Sequence, residues 1–190
     1  VLFSNLLESA HSIAKIVKKV KKNTTVILGG NHISSMVTDY KISIIDKNSN
    51  LPYVIKDLEN DHFDLAMIGE GEFSFAELVN ALLNNKDISK VPGLVKKIGN
   101  KKYLINHSIR IHDLNMLPRP SRHLVDMESY FKIGAFHSAK SRSKRVLSVM
   151  CSRGCPEKCT FCSTPQMWGT NTRWRNTKHI MDEISNDVKN

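Results

Sequence analysis

Apolar residues recur at spacings of three and four over residues 5–22, where Leu6, Leu7, Ala10, Ile13, Ala14, Val17 and Val20 share one side and lysines take the other. This spacing predicts an amphipathic helix with Ser4 as its cap. The β-branched run Thr24–Leu28 then reads as a short buried strand, and it stops at Gly29-Gly30. The pattern repeats downstream. Asp64–Ile68 reads as a second buried strand ending at Gly69-Glu70-Gly71-Glu72, after which Phe75, Leu78, Val79, Leu82 and Leu83 mark another amphipathic helix. Helix, strand and glycine loop in alternation predict an α/β fold with a parallel sheet. In such sheets ligands bind beyond the C-terminal strand ends, where these glycine loops lie.

The remaining segments are less regular. Lys41–Ile45 suggests a short strand, Asp46–Asn50 a turn, and Leu51–Asn60 a helix with Pro52 in its first turn. Gly93–Ile98 and Lys102–Ile105 flank Gly99-Asn100 as a hairpin would. Residues 113–122 hold two prolines and no periodicity, which predicts a linker. Arg145–Met150 reads as a strand opening a second domain, and Thr177–Val188 as a helix with Ile180, Ile184 and Val188 on one face. The expected division is residues 1–112, a linker at 113–144, and a second domain from 145 to 190.

Composition adds a charge asymmetry. Residues 1–90 carry 10 Lys/Arg against 11 Asp/Glu, whereas residues 91–190 carry 18 against 7. Between Lys132 and Arg175 nine basic residues accompany one acid, Glu157. Such a field suits anionic ligands or nucleic acid, and equally an ordinary solvated face. No apolar run approaches the ~20 residues of a membrane-spanning helix. The opening segment lacks the features of a signal peptide, and a cytoplasmic protein is expected. With no initiator Met and a start directly in a helical pattern, the chain is expected to be a fragment of a longer protein.

All four cysteines fall between Cys151 and Cys162. Bridges there would close only tiny loops, so metal or redox chemistry in a reducing compartment is the better reading. The segment runs Cys151-Ser-Arg-Gly-Cys155-Pro-Glu-Lys-Cys159-Thr-Phe-Cys162. Converging thiolates on one loop are soft ligands suited to iron–sulfur clusters. Gly154 permits a tight backbone path, Pro156 stiffens it, and Arg153 and Lys158 would favour thiolate. A structural zinc bound by all four cysteines is the competing reading, although zinc usually draws on two separate knuckles. Cys151, at the end of the expected strand, is taken as a small buried residue.

The spacing C-x-x-x-C-x-x-C, within Ser152-Arg153-Gly154-Cys155-Pro156 and followed by Thr160-Phe161-Cys162-Ser163, resembles the cluster loop of radical S-adenosylmethionine (radical SAM) enzymes. The resemblance implies that Cys155, Cys159 and Cys162 bind three irons of a 4Fe–4S cluster while S-adenosylmethionine chelates the fourth. It further implies reductive cleavage to a 5′-deoxyadenosyl radical, with Phe161 beside the adenine. Trp168-Gly169, Arg173-Trp174-Arg175 and Asp182-Glu183 look like the start of that family's partial (β/α) barrel. Gly29-Gly30-Asn31-His32 and Gly69-Glu70-Gly71-Glu72 resemble the two loops of the Rossmann-like cobalamin-binding domain that precedes the barrel in one branch. Gly29, Gly30, His32, Gly69, Glu70 and Gly71 are then the expected cobalamin contacts. Without that resemblance, His32 reads as a hydrogen-bonded loop residue, and Glu70 and Glu72 as helix-capping carboxylates.

The implied function is cobalamin-dependent methyl transfer, or cyclisation or rearrangement, on a small-molecule substrate, with a reductant such as flavodoxin or ferredoxin. A methylthiotransferase acting on transfer RNA or protein is an alternative, though such proteins carry three further N-terminal cysteines and residues 1–150 here contain none. A non-catalytic zinc or iron–sulfur module binding nucleic acid is another. No Ser sits in a G-x-S-x-G turn, which argues against a hydrolase. Because the barrel would need strands beyond Asn190, this chain alone is expected to be inactive.

Overall fold

A computed structural model of the chain describes residues 6–35, 44–46, 58–60, 62–99, 102–133 and 145–189. It divides into two compact units. The first comprises Val1–Ile111 with Gly154–Asn171, and the second His112–Arg153 with Thr172–Asn190.

In the first unit a five-stranded sheet is built from β1 (Ile27–Leu28), β2 (Ile44–Asp46), β3 (Leu65–Met67), β4 (Leu94–Gly99) and β5 (Lys102–Ile105) in the order β1-β3-β4-β5-β2. β1 and β3 are parallel, with Ile27 opposite Leu65 and Leu28 opposite Ala66. The other three pairings are antiparallel. The α/β class therefore holds, while the sheet is mixed instead of parallel throughout. The cause is the chain reversal after the helix Gly71–Leu83. Gly93, at φ +72°, donates its N–H to the His107 carbonyl and accepts from Ile68 N–H, so β4 enters antiparallel to β3.

Side chains alternate across this sheet as the pleat requires. Leu28, Ala66, Ile68, Val95, Tyr103 and Ile105 face one core with Ala14 of α1 (Leu7–Val20) and Ile33 of α2 (Asn31–Ser35). Leu65, Met67 and Leu94 face the other, with Leu78 and Ala81 of α3 (Gly71–Leu83). The result is a sheet with helices on both faces, the layering expected of a doubly wound fold.

Helix α1 occupies most of the expected span but buries a narrower stripe. Leu7, Ala10 and Ala14 pack on the sheet, whereas Ile13 and Val20 are exposed. Phe75 of α3 is likewise exposed, and Leu78 takes the core position. Ser4, residues 41–43, the turn beyond Asp46 and most of Leu51–Asn60 lie outside the described residues; of the last, Leu58 is buried.

In the second unit β6 (Ser152–Arg153) pairs antiparallel with β7 (Arg173–Trp174), followed by α6 (Thr177–Lys189). Arg145–Met150, expected as a strand, carries no regular structure; the strand begins two residues after it ends. Cys151, expected buried, is exposed. Ahead of β6 come two 3₁₀ turns, Leu114–Met116 and Arg122–Leu124, and the helix α4 (Met127–Ile133); Leu114 in the first turn and Leu117 just after it are buried. No helix among the described residues is long and apolar enough to cross a membrane.

Candidate functional site

The two glycine loops leave the C-terminal ends of β1 and β3, which are adjacent and parallel. Gly30 and Gly69 both adopt left-handed backbone, at φ +105° and +80°. At Gly69 a side chain is excluded twice over, because a Cβ would lie 2.3 Å from the Ser108 Cβ. The loops are joined by Ser34, a residue that the sequence reading did not select. Its buried hydroxyl accepts from Gly69 N–H at 3.0 Å and donates to the Gly30 carbonyl at 3.0 Å. A serine four residues after a carbonyl can bond back to it in a helix, and that much was legible. Its partner 35 residues downstream was not.

Of the other expected residues on these loops, His32 and Glu70 are buried. Glu70 does not cap α3 with its side chain; its Oε2 accepts from Ile111 N–H at 3.4 Å. Glu72 is exposed in the first turn of α3, where a carboxylate complements the helix dipole. Gly29 is half-buried, with room for ordinary contact to Met67 O at 3.7 Å. Gly71 opens α3 and borders no close atom.

The cysteine loop belongs to the same unit. It is closed at its base: Gly154, at φ +98°, packs so tightly that a Cβ would lie 2.3 Å from Asn171 O, and Cys155 N–H donates to Gly169 O at 3.1 Å. A turn formed by Cys162 N–H and Cys159 O at 3.1 Å draws the last two cysteines together. Helix α5 (Thr164–Trp168) follows and packs against α2. The first glycine loop and the cysteine loop are thus neighbours through the helices that follow each of them. Gly169, buried at φ +85°, lies under the Arg110 guanidinium, 3.0 Å from where its Cβ would be.

All three expected ligands are free thiols; Cys155 and Cys162 are half-buried and Cys159 is exposed. The Cys162 thiol is held below the usual range by hydrogen bonding with the Thr164 side chain, then with its backbone, and burial opposes them weakly. At Cys162 the thiolate-favouring partner is Thr164, two residues along the chain. Phe161 projects into solvent between the last two cysteines. Among the described residues no three His, Cys, Asp or Glu side chains are gathered tightly enough to hold a single metal ion. A four-iron cluster makes a different demand, since each thiolate binds a separate iron. Three soft, accessible donors on one closed loop fit such a cluster. Glycines at adjacent strand ends fit the close approach of a cofactor's tail.

In the second unit Arg122, Arg145 and Arg175 are paired with carboxylates. Arg122 reaches Asp187 at 2.8 Å and Glu183 at 3.2 Å and donates to the Ser148 carbonyl at 2.9 Å. Arg175 meets the other Glu183 oxygen at 2.6 Å and donates to the Met150 carbonyl at 2.9 Å. Burial alone would raise the Glu183 carboxyl; the hydrogen bonds and charges of the two arginines outweigh it and hold the group below the usual carboxylate range. Arg145 pairs with Glu128 and stacks over Phe131. A cavity of about 580 Å³ in this unit is lined by both Arg122 and Arg145, so its cations already have carboxylate partners. Lys140, Arg142 and Lys144 lie outside the described residues.

No family model matches the chain. It is 25% identical over 205 residues to the cytidylyl-2-hydroxyethylphosphonate methyltransferase of Streptomyces wedmorensis, covering 96% of this chain and 35% of that protein. It is 29% identical over 178 residues to the cobalamin-dependent radical SAM methyltransferase TokK of Streptomyces tokunonensis, covering 90% of this chain and 22% of that one. An anaerobic magnesium-protoporphyrin IX monomethyl ester cyclase also matches. In structure, the chain resembles the radical SAM methyltransferase TsrM of Kitasatospora setae, solved with tryptophan substrate and a SAM analogue bound. The TM-score is 0.61 at 16% identity, over 95% of this chain and 31% of TsrM; this likeness is one of fold. The chain therefore spans about a third or less of the length of these proteins.

Proposed function

We propose that this chain is part of a radical SAM enzyme that carries the cobalamin-binding fold and the cluster loop, a reading supported by its similarity to a cobalamin-dependent radical SAM methyltransferase, to a second methyltransferase and to a monomethyl ester cyclase. Methyl transfer to a small-molecule substrate is the favoured reaction, and cyclisation or rearrangement the variant on the same parts. The observation that carries this reading is the juxtaposition in one unit of two glycine loops at parallel strand ends with a closed three-cysteine loop, through the packing of α2 on α5.

In this reading Cys155, Cys159 and Cys162 hold a 4Fe–4S cluster. Gly29, Gly30, His32, Gly69, Glu70 and Gly71 line the approach of the cobalamin tail, and Phe161 is free to lie against an adenine. When bound, the cluster supplies one-electron cleavage of S-adenosylmethionine, and cobalamin supplies a methyl carrier. The chain's own contribution is geometric and electrostatic. Closure of the loop at Gly154 and Cys155 holds the three cysteines on one short loop, and Thr164 favours the thiolate form of Cys162. The glycines admit the cofactor backbone-first, where a Cβ would stand in the way. A one-electron reductant is required, and a flavodoxin or ferredoxin meets the need.

The test is anaerobic reconstitution with iron and sulfide, followed by EPR of the reduced protein with and without S-adenosylmethionine, and titration with hydroxocobalamin. A 4Fe–4S signal with visible-spectrum evidence of bound cobalamin is the expected result. Zinc retained in place of iron would sink the cluster assignment, and a cluster without cobalamin binding would sink the cobalamin assignment alone.

A further inference from the structure

We propose that Ser34 is a positioning residue that locks the two glycine loops into one arrangement for the tail of cobalamin; this rests on the cobalamin reading above. Sheet pairing sets the register of β1 and β3 only as far as Leu28 opposite Ala66. Beyond it the chains leave the sheet as Gly29-Gly30 and Gly69-Glu70-Gly71. Across that gap the Ser34 hydroxyl accepts from Gly69 N–H and donates to Gly30 O, each at 3.0 Å. A hydroxyl is the smallest side-chain group able to do both at once. The Ser34 backbone N–H bonds the same Gly30 carbonyl at 3.0 Å, so the position of the residue is set by its own helix.

The second loop is held from its other side as well. Gly69 is pressed so closely by Ser108 that no Cβ fits between them, and its φ of +80° is one that other residues adopt with strain. Gly69 is thereby held between Ser108 and Ser34, and Ser34 ties it to Gly30. The side chain of Ser34 is buried, and the two hydrogen bonds it makes to the loops are part-buried. Removing it leaves the Gly69 N–H, at a half-buried position, without this acceptor. The loops then relieve that N–H by moving apart, and a ligand that spans both loses its preformed site.

The experiment compares the purified wild-type protein with Ser34→Ala and Ser34→Thr. Three quantities are read: hydroxocobalamin affinity by spectral titration, exchange of the Gly69 amide by NMR, and the iron content and thermal midpoint of the reconstituted protein. Threonine keeps an oxygen able to bond the carbonyl four residues back. In Ser34→Ala, cobalamin affinity is expected to fall about tenfold, as loss of one part-buried hydrogen bond that sets the site predicts. Gly69 exchange should rise while the iron content and thermal midpoint stay near wild type, and Ser34→Thr should restore part of the affinity. Affinity within about twofold of wild type in Ser34→Ala, or unchanged Gly69 exchange, would overturn the proposal; so would a general loss of fold and iron, which would make Ser34 a core residue only. Wild-type protein that takes up iron but no cobalamin would overturn the cobalamin reading itself, and this proposal with it.

Discussion

The Arg175 guanidinium and the Glu183 carboxylate meet at 2.6 Å with both side chains almost entirely removed from water, at 6% and 2% exposure. A charge buried this deeply is stable only while paired. Arg122 supplies the second partner, and the far ends of the two arginines hold the Ser148 and Met150 carbonyls. One carboxylate on α6 thus organises the segment that leads into β6.

Replacing Glu183 with Gln removes the charge and leaves the guanidinium of Arg175 buried without it. The expected loss is about 3–5 kcal/mol of stability at neutral pH, measured by denaturant unfolding. The pH dependence follows from the depressed carboxyl. Its stabilisation is fully present above the ordinary glutamate value of 4.5 and is lost as the pH falls through the lower folded value. The gap between wild type and Glu183→Gln should therefore narrow at acid pH. A gap that is constant from neutral pH to well below pH 4.5 would contradict the assignment.

Cys159 is exposed, and among the described residues its backbone carbonyl closes the turn to Cys162. Cys159→Ala should keep the thermal midpoint of the iron-free protein while abolishing the reduced-state EPR signal after reconstitution. A persisting 4Fe–4S signal would remove Cys159 from the ligand set.

Glycines of the site separate into those the fold needs and those a ligand would need. Gly154→Ala places a Cβ 2.3 Å from Asn171 O on left-handed backbone, so iron incorporation and stability should both drop, the latter by roughly 1–3 kcal/mol. Gly71→Ala meets nothing closer than the Phe75 Cβ at 4.0 Å. Its stability should stay near wild type or rise by up to about 1 kcal/mol. A fall in hydroxocobalamin affinity in that variant then reports contact with the cofactor directly. Equal affinity would take Gly71 off the list of contacts.

In the core, Leu78 is fully buried on α3 and Phe75 is not, although both belong to the periodic pattern. Leu78→Ala is expected to cost about 2–5 kcal/mol, and Phe75→Ala much less. Thermal or chemical unfolding of the two variants checks the ranking.

The sequence by itself determined the features that depend on neighbours along the chain. Strands ending in glycine, the helix after the second of them, the hairpin at Gly99 and the three-cysteine loop follow from local sterics, side-chain period and ligand chemistry. These also carried the family resemblance. Tertiary structure decided what depends on partners distant in sequence. Whether Ile13 or Ala14 faces the sheet is set by where β1 and β3 run beneath α1, and both fit the helical spacing. The antiparallel entry of β4 is set by Gly93 bonding to Ile68 and His107. The Ser34 link needs Gly69, which lies 35 residues away. Glu183 and Asp187 fall on the same helical face as Ile180 and Ile184, a visible anomaly in the pattern, but Arg122 is what turns those acids inward. Local chemistry writes its signal into adjacent residues, whereas a buried hydrogen bond or ion pair is defined only when the fold brings its two halves together.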